Sequence, residues 1–204
     1  MTEFQHAASP LETAYGSSTL HCFAFGDHEE DNVLVVDCLD RVAPGGYPTL
    51  RVQSACYTAE IFLSTDCDCH GQLHESLRRI HEDGGAVVYM ICDGRGAGLL
   101  TKVRGLALGH SAGLDTHDAY TELGVETDPR RYDRVAIVLR QLGLTNVILL
   151  TNNPRKIDGL RENGITVHDE RLLIPPTAAS EPYLRTKASK MGHLLPQVML
   201  PQDE

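Results

Sequence analysis

The chain has 204 residues, of which 18 are Lys or Arg and 28 are Asp or Glu, so its formal net charge is −10. This length fits one domain with a sizeable core, and the acidic balance argues against a protein that coats nucleic acid. Its apolar runs are strand-sized and too short to cross a bilayer, so we expect a cytoplasmic protein that binds neither nucleic acid nor membrane.

Residues 1–17 show little periodicity, and we expect them to form a loose N-terminal leader. After this leader the apolar pattern alternates between runs typical of strands and runs typical of amphipathic helices. Strands are predicted at residues 33–38, 50–54, 86–92, 147–150 and 165–168. Helices are predicted around residues 73–80, 99–107, 132–142 and 157–160.

Strands that alternate with helices predict an α/β fold, with a mixed sheet covered by helices. We expect a single domain over residues 18–195 and a polar C-terminal tail over residues 196–204. No internal repeat interrupts this pattern.

The six cysteines are the most informative residues of the chain. Because no apolar signal segment begins the sequence, we expect reduced thiols and not disulfides. Cys67 and Cys69 would point to the same side of an extended segment, and Cys56 can supply a third sulfur. Catalytic zinc keeps three protein ligands and a water, whereas structural zinc usually has four protein ligands, so a reactive zinc is favoured. His70 or, less well, His74 could instead close the site, and unligated core cysteines remain an alternative.

Residues 93–98, Asp-Gly-Arg-Gly-Ala-Gly, connect a predicted strand to a predicted helix. Glycines there let the backbone approach a ligand, and the amides of a helix start favour an anion such as phosphate. An ordinary tight turn explains such a run about equally well. Arg95 favours the phosphate, because a guanidinium can hold one through two parallel hydrogen bonds.

Six separated motifs, in order from about Arg51 to Leu195, resemble the GTP cyclohydrolase II family. Members of that family are zinc enzymes that open the guanine ring of GTP at the start of riboflavin synthesis. The motifs are Arg51-Val-Gln-Ser-Ala-Cys56-Tyr-Thr58, Cys67-Asp-Cys69-His-Gly-Gln72-Leu, Asp93-Gly-Arg95-Gly-Ala-Gly98-Leu-Leu, Leu123-Gly-Val-Glu-Thr-Asp128-Pro-Arg130, Leu149-Leu-Thr151-Asn-Asn-Pro-Arg-Lys156 and Thr186-Lys-Ala-Ser-Lys-Met-Gly-His-Leu-Leu195.

The resemblance implies that Cys56, Cys67 and Cys69 hold zinc and that its water attacks C8 of the guanine. It gives Asp128 a proton-handling role, for which the alternative is a helix N-cap before a helix beginning near Arg130. It also assigns Arg130 a covalent attack on the α-phosphate that releases pyrophosphate. An arginine stays protonated and is a poor nucleophile, so we expect Arg130 to stabilise charge on the transferring phosphoryl group.

The resemblance further implies a nucleotide site, Mg²⁺ that accompanies the triphosphate, and a homodimer. For Thr116 and Thr151, an ordinary turn or strand-end hydroxyl is the alternative. The implied substrate-binding residues are Arg51, Val52, Gln53, Ser54, Ala55, Gln72, Asp93, Gly94, Arg95, Thr116, Thr151 and Lys156.

Some positions depart from the family pattern. Ala55 stands where a glutamate is expected, Cys92-Asp93 replaces Gln-Glu, and Leu106 replaces a tyrosine associated with the hydrolysis that frees formate. A leucine cannot orient a water, so we hypothesise that Leu106 determines the product and that the reaction stops at the formamidopyrimidine nucleotide. Two further possibilities are a different purine nucleotide as substrate in a specialised pathway, and a catalytically silent zinc-containing protein that binds nucleotides.

Overall fold

The computed structural model describes residues 3–126 and 128–194. The chain divides into two compact units. The first comprises residues 1–54, 73–91 and 131–172, and the second comprises residues 55–72, 92–130 and 173–204. The prediction of a single domain over residues 18–195 stays a prediction.

The first unit contains a mixed sheet of seven strands in the order β1-β2-β3-β5-β4-β6-β7. The first three strands and β5 pair antiparallel, whereas β5, β4, β6 and β7 pair parallel. The strands are β1 Gln5–Thr13, β2 Gly16–Ala24, β3 Asn32–Asp37, β4 Thr49–Ser54, β5 Gly85–Met90, β6 Asn146–Leu150 and β7 Thr166–Glu170. The predicted α/β class with a mixed sheet is confirmed.

The α-helices are α1 Tyr57–Glu60, α2 Cys69–Asp83, α3 Leu99–Ala112, α4 Thr116–Glu122, α5 Asp133–Gln141, α6 Pro154–Glu162 and α7 Glu181–Lys190. Short 3₁₀ helices occupy residues 29–31, 39–41 and 94–96. None of the helices in the described ranges is both long and apolar enough to span a membrane.

Helices cover both faces of the sheet in the first unit. Successive strand residues point to opposite faces, so Val87 and Val88 of β5 belong to different clusters. Val87 packs with Ile80 of α2, whereas Val88 belongs to the larger cluster that includes Leu139 of α5 and Leu160 of α6. The apolar periodicity of these three helices therefore fixes the faces they bury.

The connection from α2 to β5 requires glycine. Gly84 and Gly85 have φ angles of 79° and 149°, which L side chains rarely adopt. A Cβ on Gly85 would lie 1.9 Å from the carbonyl oxygen of Thr49. This pair therefore lets β5 begin directly after α2 and lie beside β4.

The prediction of a loose leader is wrong for residues 5–13, which form the edge strand β1. Residues 5–10 of this strand are exposed, and it pairs with β2 from Gln5 opposite Ala24 to Thr13 opposite Gly16. An exposed edge strand buries little apolar surface, so it lacks the alternation that marks a strand in a sequence. Helix α7 was also unpredicted, and the predicted tail at residues 196–204 lies outside the described residues.

Candidate active site

The second unit brings the three predicted zinc ligands together. Cys56 immediately precedes α1, Cys69 is the first residue of α2, and Cys67 lies two residues before Cys69. Their sulfur atoms all lie within 4.8 Å of one another, and the Sγ atoms of Cys56 and Cys67 are 3.8 Å apart. Tetrahedral zinc with Zn–S bonds of about 2.3 Å separates two sulfurs by about 3.8 Å, so this group fits zinc.

Neither histidine considered as a fourth ligand belongs to this group in the described part of the chain. His74 instead contacts the Tyr15 hydroxyl in the first unit, at 2.8 Å from its Nδ1. None of the six cysteines, all of which lie in the described residues, forms a disulfide. The arrangement of three ligands with a fourth position left for solvent, typical of catalytic zinc, therefore suits these residues better than a closed site.

The three thiols share their protons unequally. The thiols of Cys67 and Cys69 hydrogen-bond to the Cys56 sulfur and, together with the Lys102 ammonium, lower the pKa of Cys56 far below its usual range. The same contact with Cys56, reinforced by burial, raises the pKa of Cys67 to about 11 and also raises that of Cys69. Cys56 is thus the thiolate of the group, and Cys67 and Cys69 are thiols. A metal ion that binds all three sulfurs would displace the two remaining protons.

Lys102 of α3 lies beside this group. Its ammonium donates to the Sγ of Cys56 at 3.1 Å and to Oδ1 of Asp93 at 2.8 Å. The other carboxylate oxygen of Asp93 accepts from the backbone N–H of Tyr57 at 2.9 Å. Asp93, predicted to bind the substrate, thus uses both carboxylate oxygens within the protein.

Asp68, between Cys67 and Cys69, anchors the cysteine segment to α7. Its Oδ1 accepts from the Lys187 ammonium at 2.7 Å, and its Oδ2 accepts from the side-chain amide of Gln72. Burial opposes the charge of Lys187, but the neighbouring Tyr183 and Asp68 outweigh it and raise the pKa of Lys187. Gln72, another predicted substrate ligand, therefore also supports the cysteine segment.

The glycine run presents a buried guanidinium. Arg95 has a φ of 59°, a left-handed conformation uncommon for a residue other than glycine. Its Cζ lies 6.0 Å from the ring centre of Tyr120 and 5.7 Å from that of Tyr183. Its Nη1 and Nη2 atoms are buried and have no hydrogen-bond partner within the described ranges. Buried charged donors normally have partners, so this guanidinium is suited to an anionic ligand.

Asp128 and Arg130 form a buried bidentate ion pair. The Nε and Nη2 atoms of Arg130 lie 2.6 Å from Oδ1 and Oδ2 of Asp128, respectively. The two side chains are only 8% and 6% exposed for Arg130 and Asp128. Asp128 is not a helix N-cap, because α5 begins at Asp133 with Tyr132 as its N-cap. Part of Arg130 also lies against the glycine run, where a Cβ on Gly96 would be 3.2 Å from the Arg130 Cγ.

Other predicted substrate ligands lie in the first unit and contact one another. Arg51 of β4 donates from Nε and Nη2 to the side-chain oxygen of Gln53, and from Nη1 to the carbonyl of Leu150 at 2.9 Å. The buried ammonium of Lys156 lies 2.6 Å from the carbonyl oxygen of Val52, whose side chain is in the core. Thr151 follows β6, and its hydroxyl oxygen accepts from the Asn153 N–H at 3.1 Å.

The remaining predicted residues are dispersed. Ser54 ends β4 and the buried Ala55 follows it, while Gly94 begins the 3₁₀ turn. Thr116 is the first residue of α4, whose N-cap is Asp115. Leu106 lies on α3 and is 38% exposed.

Sequence reasoning missed five residues that contact this site: Asp68, Lys102, Tyr120, Tyr183 and Lys187. Asp68 and Lys187 did have a local signal, since each stands within one of the six motifs. The others come from helices distant in sequence, so only the folded chain identifies them.

A comparison with protein families matches residues 4–172 to the GTP cyclohydrolase II model. The chain belongs to the GTP cyclohydrolase II family. The family membership that the six motifs predicted is thereby confirmed. The matched region includes the three cysteines, Asp93, Arg95 and the Asp128–Arg130 pair, but not α7.

Similar curated proteins include the riboflavin biosynthesis protein RibBA of Staphylococcus epidermidis, 41% identical over 186 residues, and that of Bacillus mycoides, 40% identical over 187. Each alignment covers 91% of this chain and 46% of the relative, so the chain spans about half the length of the relatives it matches. A solved structure, the two-domain 3,4-dihydroxy-2-butanone 4-phosphate synthase RibBX of A. baumannii, has a TM-score of 0.43 and 17% identity. The structural match covers 84% of this chain and 40% of the RibBX chain.

Proposed function

We propose that this protein is a zinc-dependent hydrolase that opens the imidazole ring of GTP at C8 with loss of pyrophosphate. The product would be a ribosylaminopyrimidine 5′-phosphate with formate, or the formamidopyrimidine nucleotide if the reaction stops early. The observation that carries the proposal is the group of three sulfurs at zinc-ligand separations, in a chain of the GTP cyclohydrolase II family.

Cys56, Cys67 and Cys69 would hold the zinc ion. Zinc in such a site supplies a water of lowered pKa, from about 15.7 to roughly 7 in favourable cases. Because three sulfurs donate strongly to the metal, a protein group that accepts the proton of the attacking water gains importance. We assign that role to a carboxylate oxygen of Asp128. Its bidentate pair with Arg130 fixes the orientation of this carboxylate.

Arg95 and Arg130 would bind the anionic part of the nucleotide. The buried Nη1 and Nη2 atoms of Arg95 offer parallel donors to a phosphate, and the Gly94 segment lets the backbone come close to it. Arg130, already charged and fixed by Asp128, would stabilise the negative charge that develops as a water attacks the α-phosphorus and pyrophosphate leaves. We retain electrostatic stabilisation, and not covalent attack, as the role of Arg130.

We also propose that the other predicted residues bind the nucleotide, each through a limited set of atoms. Val52 would contribute only its backbone, because its side chain lies in the core. Arg51, Gln53, Thr151 and Lys156 form contacts inside the first unit that would hold them in fixed orientations. Ser54, Ala55 and Thr116 remain predicted ligands, and Mg²⁺ would arrive with the triphosphate.

Asp93 supports a second candidate function, a ring-opening hydrolase for another purine nucleotide. Both of its carboxylate oxygens are used by Lys102 and Tyr57, and the small Ala55 offers no hydrogen-bonding side chain. A site that lacks a polar partner for one purine edge group selects a different purine. This candidate would suit a specialised pathway, whereas GTP as substrate would suit flavin supply in the cytoplasm.

The test is product identification by mass spectrometry after incubation with zinc and a panel of purine nucleotides. We expect the wild-type protein to turn over GTP. We expect Asp128→Asn to lower the turnover rate by about a hundredfold or more. Cys69→Ala should fold but lose zinc and turnover, and Cys22→Ala, a thiol of β2 outside the cysteine group, serves as its control.

Each result has a distinct meaning. Turnover of another purine nucleotide with none of GTP would replace the first candidate with the second. A folded, zinc-containing wild type that binds GTP but converts no nucleotide would make the protein a catalytically silent nucleotide binder. A Cys69→Ala variant that merely unfolds would indicate structural zinc.

A further inference from the structure

Lys102 is a partly buried cation to which the proposed reaction assigns no role. It lies near the beginning of α3, and its side chain is 15% exposed. Its ammonium donates to two acceptors, the Cys56 sulfur at 3.1 Å and the Asp93 carboxylate at 2.8 Å, and the Asp93 side chain is 2% exposed. The ammonium is therefore held in place and largely shielded from water.

The partners of Asp93 fix this arrangement further. Asp93 accepts from the backbone N–H groups of Tyr57 and Gly94, so it connects the residue after Cys56 to the glycine run. Lys102, Asp93 and Tyr57 thus form a closed path from the Cys56 sulfur back to the Cys56 main chain. Such a path restricts the rotation of the Cys56 side chain.

The charge of Lys102 addresses a chemical weakness of a zinc site with three sulfur ligands. Three thiolates bring three negative charges to one Zn²⁺ ion, which leaves a net negative centre that polarises water poorly. An ammonium that donates to one sulfur withdraws electron density from it, and this effect is strong where water is excluded. Groups that hydrogen-bond to metal ligands commonly tune a site in this way.

We propose that Lys102 is a positioning residue for the cysteine site, which orients the Cys56 sulfur and weakens its donation to the metal. This inference rests on the proposed function, because it requires a metal ion bound by the three cysteines. No part of it depends on the identity of the nucleotide.

The first test uses cobalt(II) as a probe in place of zinc, in the full chain. The thiolate-to-cobalt charge-transfer band reports the energy of the sulfur orbitals, and a hydrogen-bonded cation lowers that energy. We expect the band of Lys102→Met to move to longer wavelength than that of the wild type, with unchanged ligand-field bands. Lys190→Met is the matched control, since Lys190 pairs with Asp115 and Asp118 in the same unit without contacting sulfur.

Activity gives a second readout of the same variants loaded with zinc. We expect Lys102→Met to lose about tenfold to a hundredfold in kcat with KM for the nucleotide nearly unchanged, because the effect passes through a metal ligand. Lys190→Met should retain wild-type kcat. A charge-transfer band at the same wavelength in Lys102→Met and wild type would overturn the proposal, as would an unchanged kcat.

A measurement on the wild-type chain covers the case in which Lys102→Met does not fold. With cadmium-113 bound, scalar coupling from the metal through the Cys56 sulfur to the Lys102 ammonium is expected in NMR spectra. A resolved Lys102 ammonium signal without coupling would refute the contact. A wild-type chain that takes up neither cobalt nor cadmium would overturn the zinc proposal itself, whereas metal uptake with an unaltered band in Lys102→Met overturns the role of Lys102 alone.

Discussion

Leu106 is the side chain that we propose determines whether formate is released. It is 38% exposed on α3 and offers no hydrogen-bonding atom where the family resemblance leads us to expect a phenol. A tyrosine does lie elsewhere in the same unit, because the buried Tyr120 directs its hydroxyl to the Gly94 carbonyl at 3.3 Å. Burial raises the pKa of Tyr120, so this phenol stays protonated as a donor at neutral pH.

The residue-scale prediction is that Leu106→Tyr increases formate release. The wild type should yield ring-opened formamidopyrimidine with little formate, and the variant should approach equal amounts of formate and deformylated pyrimidine, since the new hydroxyl can orient the second water. Formate is quantified enzymatically, and the pyrimidines by mass spectrometry. Equal yields of formate and deformylated pyrimidine in the wild type would refute the truncated reaction. If Tyr120→Phe then lost formate release, Tyr120 would be the residue that replaces the missing phenol at position 106.

At the scale of elements, α2 begins at a proposed zinc ligand and packs its later turns into the core. It begins with Cys69, and Ile80, three turns later, is fully buried against Val87 of β5 and Cys38. The packed end of α2 in the first unit therefore stabilises the helix whose first turn contributes a sulfur. Isolated helices of this length are marginal in water, so this packing supplies most of the stability of α2.

We predict that Ile80→Ala lowers the free energy of unfolding by about 2–5 kcal/mol, because it leaves a cavity that the helix cannot fill. Urea unfolding followed by circular dichroism measures the change. Glu82→Ala, on the same helix but with a side chain 55% exposed, should have a much smaller effect. Equal effects of the two substitutions would mean that α2 is not held by its apolar face.

At the scale of the whole molecule, exposed apolar side chains support the proposed homodimer. Leu99, Leu100 and Val103 of α3 are 44%, 64% and 50% exposed, and residues 61–63, Ile-Phe-Leu, are exposed in the same unit. Exposed apolar side chains that form a patch often mark a contact with another protein. A second copy of the chain is the partner that the family resemblance leads us to expect.

We predict a sedimentation mass of twice the 22.4 kDa of one chain. Leu100→Asp should shift the protein to the monomer without unfolding it, because this side chain is already 64% exposed. Leu173→Asp, at a leucine that is 41% exposed outside α3, should leave the mass unchanged. A wild-type chain that sediments as a monomer at micromolar concentration would contradict the homodimer.

The sequence by itself determined the α/β class, the strands from β3 onward, the helices with a clear apolar stripe and the cysteine group. These features depend on short stretches of sequence. The spacing of apolar residues indicates which face of a helix or strand is buried, and Cys67 and Cys69 are only two residues apart. The largely exposed strand β1 carries no such pattern, and α7 buries two polar residues, Thr186 and Lys187, beside Leu184, so neither element was predicted.

Only the tertiary structure decided which side chains meet at the site. It placed the Lys102 ammonium on the Cys56 sulfur across 46 positions and the Lys187 ammonium on Asp68 across 119 positions. It also left the guanidinium of Arg95 buried among two tyrosines from other helices. Such contacts depend on how distant segments pack, because burial and charge compensation are properties of the folded chain and not of any short run of residues.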